Sequence, residues 1–218
     1  MNINYPTIIV DNFFKYPHDV RNLALSMVYE PSKEGMYSGV RTESLHITHP
    51  DFFTEVCNKI LSCYSIKYQA YVASMFFHLT GQENGDFGWV HKDSNLLLGS
   101  VIYLNFDNNS FDSGTTLYKL NNLDYSMKNF SNMRESFKVA SDDKQSKIKH
   151  NRNFTPTVNI GNMFNRMIAY DASNLHAGTG YYGTNKENTR LTLITFFGHI
   201  RTEENQTVLQ RANALSIL

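Results

Sequence analysis

Residues 88–106 read Gly88-Trp89-Val90-His91-Lys92-Asp93-Ser94-Asn95-Leu96-Leu97-Leu98-Gly99-Ser100-Val101-Ile102-Tyr103-Leu104-Asn105-Phe106. The second half, Leu96 to Phe106, is an apolar run bounded by turn signals and reads as a strand. The first half ends in His-x-Asp. In an extended segment residues i and i+2 point to the same side. His91 and Asp93 can therefore reach one ion while Lys92 points away.

Further strand runs lie on both sides of this stretch. Tyr68 to Leu79 (YQAYVASMFFHL), Thr115 to Leu120, Met167 to Tyr170 and Leu191 to Ile200 (LTLITFFGHI) are rich in aromatic and β-branched residues. Gly81, Gly85, Asn108-Asn109, Ser113-Gly114, Gly178, Gly180 and Gly183 punctuate them. Upstream, Thr7 to Val10 reads as a short strand. Tyr16 to Tyr29 reads as a helix, with Pro17 and Asp19 in its first turn and Val20, Leu23, Ala24, Met27 and Val28 on one face. Pro50 to Tyr64 repeats that period with Phe52, Phe53, Val56, Cys57, Ile60, Leu61 and Tyr64. Helices first and many strands after predict an α+β, mainly β chain: an antiparallel barrel or jelly roll with its N-terminal helices packed on one sheet. At 218 residues one domain is expected, with residues 1–65 as helical support and 66–200 as the β core. Residues 121–153 are polar and aperiodic, and 119–152 carries eight Lys/Arg against four Asp/Glu, so a surface insertion or lid is expected there.

The chain has a second His-x-Asp, His49-Pro50-Asp51, whose proline and acid suit a helix start instead. The His91-Lys92-Asp93 copy acquires chemistry from residues far downstream. Asn174-Leu175-His176-Ala177-Gly178 supplies a second imidazole beside small residues that leave space. Two histidines and one carboxylate on one face of Fe(II) leave the opposite positions open for co-substrate and oxygen. Arg190 follows at the start of the last long strand, on the same face as Thr192. A guanidinium buried inside a β core needs an anion, and the far carboxylate of a 2-oxo diacid would be one. His18, His46, His150 and His199 lack such a setting and read as structural or exposed; His78 reads as a hydrogen-bonded core residue.

Formal net charge is zero, which weighs against nucleic acid as a general partner. No apolar run reaches membrane-spanning length, and no signal peptide is read at the N-terminus. Cys57 and Cys63 read as two reduced thiols, consistent with a cytoplasmic protein. The abundance of Asn, Tyr, Phe, Ile and Lys, residues of AT-rich codons, points to a small bacterium or a virus-infected host cell. Oligomeric state is not legible.

The stretches Gly88 to Asp93, Ser100 to Asn105, Ser113 to Tyr118, Leu175 to Gly178 and Arg190 to Thr192 together resemble the Fe(II)/2-oxoglutarate-dependent oxygenase superfamily, within it the prolyl-hydroxylase-like branch. Tyr37-Ser38-Gly39-Val40-Arg41 and Ile160 to Arg166 resemble an uncharacterised bacterial and phage group of that superfamily. The resemblance implies a double-stranded β-helix (cupin-like jelly roll). It implies iron on His91, Asp93 and His176, and 2-oxoglutarate held by Arg190, with Tyr103 and Thr192 as further contacts. The implied activity couples oxidative decarboxylation of 2-oxoglutarate to hydroxylation, by O2, of a primary substrate that the sequence does not name, such as a peptidyl residue. Alternatives are a nucleic-acid or small-metabolite oxygenase of the same fold, a cupin-like iron or manganese enzyme that does not use 2-oxoglutarate, and a non-catalytic jelly-roll binding protein. The resemblance stops at residues 121–153, which have no counterpart in it.

Overall fold

A computed structural model describes residues 5–32, 37–64, 67–105, 110–121 and 144–202. In chain order the elements are β1 (Ile8–Val10), α1 (Pro17–Ser26), β2 (Glu30–Pro31), β3 (Val40–Arg41), α2 (Leu45–Thr48), α3 (Pro50–Ser62), β4 (Tyr68–Thr80), β5 (Leu98–Tyr103), β6 (Ser110–Leu120), α4 (Lys144–Asn151), β7 (Phe154–Asn162), β8 (Met167–Asp171), β9 (Leu175–Thr179) and β10 (Arg190–Thr202). Seven strands form one antiparallel sheet in the order β1-β8-β5-β10-β4-β3-β2, and three form another, β7-β6-β9.

The apolar runs of the large sheet arise because it is covered on both faces. Met75, Phe77 and Leu79 of β4, Leu98 and Ile102 of β5, Met167 and Ala169 of β8, and Leu191, Leu193 and Phe197 of β10 pack with Ala24 of α1, Leu45 of α2 and Val56, Cys57, Ile60 and Leu61 of α3. The alternate residues turn the other way: Val101, Tyr103, Ile168, Tyr170 and Ile194 meet Ile160 of β7 and Leu117 of β6, which joins the two sheets. Each such large side chain contributes about 1.5–3 kcal/mol on leaving water. A sheet buried on both faces shows no polar alternation, which is why every residue of β5 is buried and Ser100 is its only hydroxyl besides that of Tyr103.

The helices depart from expectation in several places, with α2 and α4 both unforeseen. α3 spans Pro50–Ser62, with Pro50 and Asp51 in its first turn, but α1 stops at Ser26 and Val28 is 78% exposed. Val20, Leu23, Ala24 and Met27 pack on the core as expected, and the buried face of α1 also carries Arg21, which donates to the carbonyls of Leu104 (2.9 Å) and Glu187 (2.7 Å). β6 begins at Ser110, earlier than the run Thr115 to Leu120 suggested, and β9 forms over a stretch read only as a histidine motif. Of the expected insertion, residues 122–143 lie outside the described residues. Residues 144–151 are helical rather than a solvated loop. Cys57 is buried and Cys63 exposed, both free. Among the described residues no helix is long and apolar enough to cross a membrane.

Candidate metal centre

β9 places His176 opposite Leu117 of β6, on the face turned toward the large sheet. The other edge of β9 takes up the segment that carries the His-x-Asp motif. Gly88 N donates to Gly178 O (2.8 Å), and His91 and His176 exchange both backbone hydrogen bonds (3.0 and 2.9 Å). The two histidines therefore stand side by side, ring centroids 4.4 Å apart. Val90, fully buried, points to the opposite face against Phe154 and Ala177, so alternation turns His91 inward. The Asp93 amide is pinned to the carbonyl of Ala172 (3.0 Å), between β8 and β9.

The three side chains converge. His91 Nε2 lies 3.5 Å from Asp93 Oδ1, and His176 Nε2 lies 3.5 Å from Asp93 Oδ2. One ligand atom from each residue falls within 4.8 Å of the others. Both imidazoles are oriented by their own backbone: His91 Nδ1 donates to Trp89 O (2.8 Å) and His176 Nδ1 to Asn174 O (2.9 Å). That arrangement leaves each Nε2 with its lone pair toward the shared point, the usual support of a metal-bound histidine. Asp93 Oδ2 is buried and accepts no hydrogen bond. A buried carboxylate oxygen without a donor is costly unless a cation completes it. The donor set and this orphaned oxygen fit a divalent transition metal such as Fe(II).

Electrostatics agree. Burial alone would raise the Asp93 carboxyl, yet His176, His91 and Arg41 outweigh it and hold it at about 2. Burial lowers His176 to about 4, with His91 adding to the effect. Burial acts the same way on His91, but its contact with Asp93 overrides that and raises it. The two rings share one carboxylate, and of the two His91 is the one whose charged form it favours.

Gly99 of β5 makes room for the cluster. A Cβ there would lie 3.2 Å from the Tyr170 ring and 3.4 Å from Asp93 Oδ2. Tyr170 also packs on His176, ring centroids 4.6 Å apart.

Arg190, Tyr103 and Thr192 lie together on the inward face of the large sheet. Thr192 is opposite Tyr103 across β10 and β5. Arg190 is 4% exposed; its Nη2 donates to Gly114 O (3.1 Å) in β6, and its Nε has no partner. Gly114 has φ +151°, and a Cβ would meet Ile160 O at 2.0 Å, so only glycine fits this bulge. Tyr103 donates to Thr115 Oγ1 (2.8 Å), tying the same two sheets together, and its ring lies 5.5 Å from the Arg190 guanidinium. Thr192 donates to His78 O at 3.4 Å. The sequence-predicted residues thus form two groups on one inner wall: the His91, Asp93 and His176 cluster, and the Arg190, Tyr103 and Thr192 group.

Two supports escape a reading of the sequence. Asn151 of α4 accepts from Val90 N (3.0 Å) and donates to Gly88 O (2.9 Å), and His150 donates from Nε2 to Val90 O (2.8 Å). A lone polar side chain that bonds to backbone leaves no pattern to find. His78 is the core histidine expected, donating to Ser38 O at 2.7 Å. Surface cavities of about 560 and 170 Å3 lie elsewhere, the larger beside Met27, Tyr29 and Lys186, and neither contains a residue of the cluster.

The fold has relatives among solved structures. HygX from Streptomyces hygroscopicus, solved with nickel and 2-oxoglutarate bound, is 10% identical over 94% of this chain and 85% of that one, with a TM-score of 0.55. The non-heme alpha-ketoglutarate-dependent epimerase SnoN from nogalamycin biosynthesis is 8% identical over 90% and 78%, with a TM-score of 0.51. A prolyl hydroxylase from Trichoplax adhaerens, solved with a peptide fragment, is 14% identical over 88% and 82%, with a TM-score of 0.50. At these identities the likeness is one of fold. No curated protein matches the sequence. One family model matches residues 2–197, nearly the whole chain, and on that match the chain belongs to the family of unknown function DUF6445.

Proposed function

We propose that the protein is an Fe(II)- and 2-oxoglutarate-dependent oxygenase of the prolyl-hydroxylase-like type, built as one unit on a double-stranded β-helix. The observation that carries this reading is the convergence of two imidazoles and one carboxylate within 4.8 Å. The wall behind them carries a buried arginine whose Nε is unpartnered.

His91, Asp93 and His176 would hold the metal, with Asp93 ionised and both imidazoles neutral. Bound iron supplies the activation of oxygen, by which 2-oxoglutarate, O2 and a substrate C–H become succinate, CO2 and C–OH. Arg190 holds the far carboxylate of 2-oxoglutarate through its fork, and Gly114 O fixes the guanidinium plane from behind. Tyr103 and Thr192 flank that carboxylate. Tyr170, packed on the His176 ring, and Tyr181, whose ring lies 5.7 Å from the Arg190 guanidinium, would flank the bound groups. Likeness to HygX and SnoN supports this co-substrate, because HygX was solved with 2-oxoglutarate and SnoN is described as dependent on it. The primary substrate is a small molecule or a peptidyl residue, the two kinds seen among those relatives.

Anaerobic addition of Fe(II) and 2-oxoglutarate should give a visible charge-transfer colour. In air, succinate should be released when substrate pools are added, and Asp93→Ala should show neither signal. Wild-type protein with no iron affinity and no colour would reject the assignment in favour of a non-catalytic binding protein.

A further inference from the structure

A second guanidinium reaches the same wall. Arg41 of β3 lies opposite His78 of β4, His78 opposite Thr192 of β10, and Thr192 opposite Tyr103 of β5, so the four stand in one row across the sheet. The Arg41 guanidinium carbon sits 3.7 Å from the Tyr37 ring centroid, 5.8 Å from Phe76 and 5.7 Å from Phe196. Phe196 is the cross-strand partner of Gly99, the residue against Asp93. Arg41 therefore leans from its row toward the candidate metal cluster. Arg190 contacts different rings, Tyr103 and Tyr181.

Nothing in this row neutralises Arg41. Its Nε is buried without a hydrogen-bond partner, and among the described residues it forms no ion pair. His78 donates from Nε2 to Ser38 O, and burial, reinforced by Arg41, keeps it neutral. Asp93 acts on Arg41 electrostatically but is committed to the two histidines. Burial lowers Arg41 to about 10, so it remains charged near neutrality. Arg41 as a residue is half-buried, with Nε out of solvent; a guanidinium so placed without a counter-ion is costly, and a site retains one where a ligand brings the opposite charge. Nε–H and the neighbouring Nη–H form a side-on pair matched to the two oxygens of a carboxylate. The aromatic rings around it suit an apolar remainder of that ligand.

We propose that Arg41 is a specificity-determining residue that binds a carboxylate on the primary substrate, making that substrate a small acid such as a free amino acid rather than a neutral residue within a polypeptide. This rests on the reading above that 2-oxoglutarate occupies Arg190.

The test uses the full chain with Ni(II) in place of iron and saturating 2-oxoglutarate, and in parallel with neither. Free L-amino acids, each beside its primary amide, are measured by calorimetry and thermal shift. At least one acid should bind at least about tenfold more tightly than its amide. Arg41→Met should erase the difference and Arg41→Lys should keep part of it. Ligand-free Arg41→Met should melt no lower than wild type, whereas a purely structural arginine would lower it. Acids and amides that behave alike throughout overturn the proposal, as does a preference that survives in Arg41→Met. Loss of 2-oxoglutarate affinity in Arg41→Met would also overturn it, by assigning the guanidinium to the co-substrate. Failure of Ni(II) and 2-oxoglutarate to bind wild type would reject the oxygenase reading instead, and the parallel arm would still report on Arg41.

Discussion

The amide of Val90 donates to the side-chain oxygen of Asn151 at 3.0 Å, so the residue just before His91 is held from a point 61 positions downstream. The Asn151 amide nitrogen returns to Gly88 O at 2.9 Å, and the two bonds mimic a strand partner for the motif segment. Removing such outer support of a metal ligand commonly costs about 10- to 100-fold in affinity. Asn151→Ala should weaken Co(II) or Ni(II) binding by that order in calorimetric titration, with an unchanged far-ultraviolet circular dichroism spectrum. Full affinity would show that the β9 pairing suffices to place His91.

Gly99→Ala adds one methyl between Tyr170 and Asp93, at 3.2 and 3.4 Å. The 3.2 Å contact is the tight one, so the Tyr170 ring has to give by a few tenths of an ångström, and that ring packs on His176. We expect metal affinity to fall by about tenfold or more, while the unfolding midpoint stays close to wild type. A variant with normal affinity would mean that the Tyr170 ring gives way without disturbing His176.

Arg190→Lys keeps the charge and loses the fork. A charge-assisted hydrogen bond contributes about 1.5–3 kcal/mol, so the KM for 2-oxoglutarate should rise by about 10- to 100-fold. Metal affinity should be unaffected. A KM that does not change would show that Arg190 does not hold the far carboxylate.

Metal binding should weaken in acid with a defined slope. In the metal-free protein His91 is raised, so its contact with Asp93 stabilises the fold below the unfolded-state value of about 6.5 and is lost as pH rises through the folded-state value. A metal must displace that proton. His176, at about 4, and Asp93, at about 2, stay deprotonated until far lower pH. Between about pH 5 and 6.5 the apparent affinity should therefore drop by about tenfold per unit, one proton per metal. A twofold steeper slope in Co(II) titrations would mean that both histidines charge together.

Phe197→Ala separates scaffold from site. Phe197 is fully buried on the helix side of the large sheet, edge-on to Tyr71 at 5.8 Å, whereas its neighbour Phe196 lies on the opposite face, 5.7 Å from the Arg41 guanidinium. We expect a loss of about 3–5 kcal/mol in denaturant unfolding. Metal affinity measured on the folded fraction should change little.

The sequence announces some of these elements and hides others for physical reasons. β4, β5, β8 and β10 are legible because burial on both faces forces continuous apolar runs. α3 is legible because its buried residues keep a helical period. β7 is hidden: it buries chiefly Phe154 and Ile160, exposes Thr155 to Asn159, and carries Pro156 at a register shift of an edge strand. α4 is hidden because its buried residues are Lys147 and His150, which no apolar period reveals. His91, Asp93 and His176 stand out by spacing and by their small neighbours. Arg41 does not, since a two-residue strand has no pattern and only its pairing with β4 brings it to the wall.

In β10 the side chains that line the pocket and those that anchor the sheet occupy alternate links of one chain. Leu191 cannot be resized without displacing the arginine before it and the threonine after it. Change that spares the scaffold is easier in appended pieces, such as the two-residue β3 or the turn at residues 181–189, than within residues 190–197 of the central strand, which are nearly all buried.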